Sequence, residues 1–97
     1  MGHSAVYFCI FLLLMAQETK TSAIEQYVID YVTDLRIKRR LKQDDIATII
    51  GVGRSFIAKV EDSKHRAKYN LNHIDKLADH FGLSPKDFLP QKANKHL

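Results

Sequence analysis

Apolar residues fall at Ile24, Tyr27, Val28, Tyr31, Val32 and Leu35, steps of three and four that gather on one stripe of a helix. Ser22 stands just before the stripe and Glu25 three residues later, the S-x-x-E pattern in which each member satisfies the other's backbone N–H. The pattern predicts a first helix from Ser22 as N-cap to about Arg40. A short second helix is predicted over Gln43–Ile50, with Asp44 and Asp45 at the end that favours negative charge and Ile46, Ala47, Ile49 and Ile50 for burial. Gly51-Val52-Gly53 then breaks the pattern, since glycine supplies the backbone conformation that ends a helix and turns the chain. A third helix resumes over Arg54–Glu61, with Phe56, Ile57 and Val60 inward and Arg54, Ser55, Ala58 and Lys59 outward.

Residues 62–70 (DSKHRAKYN) show no apolar period and concentrate Lys64, His65, Arg66 and Lys68, which predicts an exposed basic loop. Leu71, Ile74, Leu77, Ala78 and Phe81 return to helical spacing, and Gly82 stands where a helix-terminating glycine belongs. Ser84-Pro85 opens a last short helix over 85–89, stopped by Pro90. Leu83, Phe88 and Leu89 are expected to complete the core rather than form a two-fold contact. With five helical elements, no strand and no repeat, the class is all-α. A single domain over 22–90 and a frayed tail over 91–97 follow.

The chain of 97 residues can bury only a modest core, which excludes a large enzyme with a deep cleft. Its net charge of +4 suits a polyanionic partner. No Lys, Arg, Asp or Glu precedes Glu18. Cys9 is the single cysteine, so no internal disulfide can form, and a reducing compartment is expected. Cys9 lies outside the region that reads as folded, with no folded neighbourhood to hold a base beside it, and the spacings of His65, His73, His80 and His96 are not those of metal ligands. Neither catalysis nor a bound cofactor is expected.

The first 21 residues form an apolar leader. Residues 5–16 (AVYFCIFLLLMA) are twelve apolar residues in a row. As a helix they would span roughly 18 Å, short of the ~30 Å hydrocarbon core of a bilayer. Met15 followed by a polar stretch suggests a translation start there. A signal peptide, a membrane tether and a docked apolar helix stand as alternatives.

Two short helices joined by a glycine-containing three-residue turn make a helix-turn-helix, whose second helix can enter the ~12 Å major groove of DNA. The stretch VTDLRIKRRLKQDDIATIIGVGRSFIAKVEDSK, followed by NLNHIDKLADHFGLSPKDFL, resembles the Cro/C1-type (XRE-like) helix-turn-helix family over Val32 to Leu89. The resemblance implies a compact phage-repressor-like fold, double-stranded DNA as partner, and regulation of transcription in the cytoplasm. It implies fold-forming roles for Ala47, small where two helices cross, for Gly51 in the turn and for Ile57 in the core. Arg36 and Glu61 match a pair that bridges the first helix to the end of the third.

The same resemblance assigns base reading to Arg54, Ser55 and Lys59. It assigns phosphate contact to Gln43 at the amino end of the second helix, and the basic loop adds Lys64, Arg66 and Lys68. Arginine can meet guanine O6 and N7 with two hydrogen bonds, lysine and serine with fewer. Gly53 stands where the family often has a Ser or Thr cap, and Arg40 where it often has glycine. A repressor-like homodimer on a palindromic site is the first functional expectation. An antitoxin with a cognate toxin partner, and a protein-interaction module that has lost DNA contact, are the alternatives.

Overall fold

The structure, a computed structural model, describes residues 21–93. The apolar leader through residue 20 and residues 94–97 lie outside the described residues. Four α-helices follow one another: α1 (Ala23–Lys38), α2 (Gln43–Ile50), α3 (Arg54–Glu61) and α4 (Leu71–Phe81). The fifth element is a short 3-10 turn, Pro85–Phe88, rather than an α-helix. With four residues before Leu89 leaves helical geometry, it has room for only one i→i+3 turn.

Three of the four α-helix starts are closed by a side chain. Glu25 accepts from the Ser22 N–H at 2.8 Å, while the Ser22 hydroxyl accepts from the Glu25 N–H at 3.3 Å. Asp45 reaches back to the Lys42 N–H at 2.7 Å at the head of α2. At α4, Asn70 Oδ1 accepts from the His73 N–H, and His73 Nδ1 accepts from the Asn70 N–H. Asn70 is thus an N-cap rather than the last residue of a plain loop. Gly53 offers α3 no side-chain cap.

Three helix ends close with a hydrogen bond that spans a left-handed residue. After α1 the Leu41 N–H donates to Arg36 O and the Arg40 N–H to Ile37 O. The pair is the double bond pattern of a helix end whose next residue turns left-handed. Val52 N–H to Ala47 O and Leu83 N–H to Ala78 O close α2 and α4. The left-handed residues are Gly51 at φ 77°, Gly82 at φ 69° and, after α1, Arg40 at φ 57°. Helix α1 therefore ends at Lys38, two residues before Arg40.

The core is one cluster. Val28, Ile29 and Val32 of α1 join Ile46, Ala47 and Ile50 of α2, Ile57 and Val60 of α3, Ile74, Leu77 and Ala78 of α4, and Phe88. Helix α2 packs on both α3 and α4, and Phe88 closes the gap between α1 and α4 against the Tyr31 ring, 4.8 Å between centroids. Burying each of these large side chains contributes about 1.5–3 kcal/mol.

The buried stripe of α1 is rotated from the sequence pattern. Ile29 is buried, whereas Ile24 and Tyr27 are exposed. Leu89 is likewise exposed, and Phe88 alone of the last three apolar residues is fully enclosed. Tyr69, inside the segment expected to be an open loop, is buried. Its ring meets those of Phe56 and His73 edge-on. Among the described residues no helix is long and apolar enough to cross a membrane.

Candidate nucleic-acid interface

The helix-turn-helix is built from α2 and α3, which cross where Ala47 is nearly fully buried. A larger side chain there would separate the two helices. Between them Gly51 turns left-handed, and the Ile50 carbonyl is taken by Lys76 Nζ of α4 at 3.4 Å. On α3, Ile57 and Val60 are buried, and the opposite side carries Arg54, Ser55, Ala58 and Lys59, all exposed. Ser55 and Lys59 are four residues apart and share a face; Arg54 lies beside Ser55. Helix α3 is about 12 Å long.

The end of α3 is fixed by a polar cluster. Arg36 Nε and Nη2 donate to the two oxygens of Glu61, each at 2.9 Å, and Arg36 Nη1 donates to the Leu41 carbonyl at 3.1 Å. Gln43 Nε2 donates to the same carboxylate at 3.0 Å. One carboxylate therefore ties α1, the amino end of α2 and the last residue of α3 together. Its planar two-point match with guanidinium is the strong form of such a contact. Gln43 is half-buried, its amide nitrogen engaged inward by Glu61.

Lys64 and Arg66 stand exposed on the loop after α3, and neither has an ion-pair partner among the described residues. The loop is held at its start by the Asp62 carboxylate, which accepts from the Lys64 N–H at 3.0 Å. Lys68 is placed differently. Its ammonium meets the Glu25 carboxylate at 2.6 Å, and that contact, with the Ser22 N–H bond, holds the Glu25 carboxyl below the usual carboxylate range. Glu25 is eleven residues before Arg36, about 16 Å along α1. Lys68 thus sits at the rim of an open apolar groove of about 550 Å³ between the first turn of α1, the start of α4 and Leu89. The structure gathers Arg54, Ser55 and Lys59 on one helix face and sets Lys68 near another end of the molecule.

The profile of the Cro/C1-type HTH DNA-binding domain matches residues 32–92, more than half of the chain. The chain belongs to this family. No curated protein and no solved structure matches it. Membership supports a general role in DNA binding and transcription regulation. In this Cro/C1-type domain the turn before α2 carries two further exposed cations, Arg40 and Lys42. The periodic pattern gave no reason to single them out, because charged residues in a connection are usually only solvated. The left-handed backbone at Arg40 is the signal that distinguishes it, and only its replacement of a common family glycine hinted at that.

Proposed function

We propose that this Cro/C1-type domain is a sequence-specific regulator, repressor-like and dimeric, that binds double-stranded DNA with α3 in the major groove. The observation that carries this reading is the outward face of α3. Arg54, Ser55 and Lys59 are exposed and without a side-chain partner among the described residues, on a helix whose other side is locked by Ile57, Val60 and the Arg36–Glu61 pair. A rigid helix with unspent donors on one face is what base reading needs. Arg54 would take guanine O6 and N7, Lys59 a second base edge or a phosphate, and Ser55 either. The backbone N–H groups at the amino end of α2 would meet phosphate together with the Gln43 amide N–H that Glu61 does not take, as would Lys64 and Arg66, with Lys68 joining after leaving Glu25. Pairing two copies on half-sites about 34 Å apart would supply the affinity that one small reader lacks. Such a regulator works in the cytoplasm, where DNA is within reach.

Binding-site selection from random duplexes, followed by titration of variants, tests this. Arg54→Ala should lose about 1–3 kcal/mol on the selected site and relax the preference at one base pair. Lys64→Ala should weaken selected and random DNA alike and lower the slope of log affinity against log salt by about 0.9 for each copy bound. Equal losses on both DNAs for Arg54→Ala would remove base readout from the reading. An absence of salt-dependent binding to any duplex by the natural chain would remove DNA altogether. A toxin-like gene next to this one would assign the same surface to an autoregulating antitoxin.

A further inference from the structure

The three helix ends that close with a left-handed residue form a comparison within one molecule. At two of them that residue is glycine, Gly51 and Gly82; at the third it is Arg40, the only non-glycine residue with positive φ among the described residues. The long closing bond spans the left-handed residue at all three ends, the second bond matches after α1 and α4 while the Gly51 N–H donates to Ala47 O, and the following residue is apolar and half-buried each time, Leu41, Val52 and Leu83. Any side chain in this conformation is strained, because its Cβ crowds the backbone. Nothing inside the fold compensates Arg40. Its guanidinium is exposed and makes no hydrogen bond, ion pair or ring contact among the described residues.

Its neighbours are otherwise occupied. Arg36 is held by Glu61, Lys38 by Asp34 at 2.8 Å, and Arg39 lies over the Phe81 ring at 5.3 Å. Of the cations in this turn, Lys42 shares the condition of Arg40, exposed and without an ion-pair partner among the described residues. The two free cations flank Leu41, whose carbonyl is fixed by Arg36, and lead into Gln43, whose side chain is fixed by Glu61. The short segment from 40 to 43 is therefore pinned at both ends.

We infer that Arg40 and Lys42 form an additional phosphate clamp, gripping the DNA backbone beside Gln43, and that the strained backbone at Arg40 is kept for its charge. The inference rests on the reading that the amino end of α2 meets DNA. It adds residues outside both α3 and the basic loop to the footprint. Contacts of this kind are blind to sequence and act through released counterions.

Arg40→Gly tests it, because glycine removes the charge and the strain together. Its urea midpoint should rise, while its affinity should fall about 5- to 10-fold near 0.1 M salt and its salt slope by about 0.9 for each copy bound, equally on a mixed-sequence duplex and on the selected site. Arg40→Lys should recover most of the affinity and the slope without the gain in midpoint. Lys42→Ala should lower the slope by a similar step. Unchanged affinity and slope for Arg40→Gly, while the natural chain binds with salt dependence, would overturn the clamp and leave the DNA reading standing. A lower midpoint for Arg40→Gly would show that Arg40 serves α1, as a cation near its negative end, and would overturn the claim that strain is kept for DNA. Failure of the natural chain to bind any duplex would overturn both readings.

Discussion

Two side chains near the start of α4 carry polar atoms whose surroundings set clear consequences. The Tyr69 hydroxyl is buried without a hydrogen-bond partner among the described residues, and burial, with the Glu61 carboxylate in second place, pushes its pKa far above the usual phenol value. An unpaired buried hydroxyl costs about 1–3 kcal/mol. Tyr69→Phe keeps the ring contacts with Phe56 and His73 and removes that cost. It should raise the urea midpoint by an amount worth about 1 kcal/mol, with no change in the denaturant slope. His73 is the second case. Its Nδ1 must stay unprotonated to accept from the Asn70 N–H, and burial, followed by the nearby Lys76 charge, lowers its pKa. The unfolded chain therefore takes up this proton first as pH falls. Stability should be fully present above the ordinary histidine value, near pH 6.5, and decline as pH drops from there toward the folded value. His73→Asn should flatten that decline in urea midpoints measured between about pH 7.5 and pH 5.5. Glu25, whose pKa is also lowered, contributes in the same direction only below the ordinary carboxylate range, so the two windows separate.

At the scale of elements, the turn between α2 and α3 decides where the reading helix lies. Gly51 has φ 77°, and a Cβ added there would come no nearer than 3.9 Å to Lys76 Nζ. Space is available, so Gly51→Ala should suffer from backbone strain alone, about 1–2 kcal/mol. Thermal unfolding by circular dichroism checks this. A much larger loss would mean that the turn relays more than its own conformation. Most elements were legible because their signals are local. Ser22 with Glu25, Pro85 after Ser84 and the apolar steps of α3 each act within a turn or two of their own position. The features missed at this scale were quieter. Asn70 pairs with His73, a residue that seldom serves as the acceptor at the third position, and after Ser84 the N–H groups of Asp87 and Leu89 close on the third residue back rather than the fourth.

Across the whole molecule, Glu61 is the residue on which three elements converge. It holds Arg36 of α1 by two hydrogen bonds and Gln43 of α2 by one, with both charged side chains largely shielded from water. Glu61→Gln should lower stability by about 2–3 kcal/mol, since hydrogen bonds to charged groups are the strong ones and Arg36 would be left half-buried and unpaired. Chemical denaturation at constant pH would measure it; a loss under about half a kcal/mol would show that water replaces the pair freely.

The sequence by itself determined the all-α class, the order and approximate ends of the helices and the inward and outward faces of α3. These follow from periodicity and caps, which depend on residues close together along the chain. The family resemblance located the candidate reading residues at the same step. What the tertiary structure decided depends on packing between distant segments. The rotation of the α1 stripe, the burial of Tyr69, the capture of Lys68 by Glu25 and the inward turn of Gln43 all arise where one element covers another. Charge in a loop reads the same in a sequence whether it is free or paired. Only the fold separates Lys68, which is neutralised, from Arg40 and Lys42, which are not.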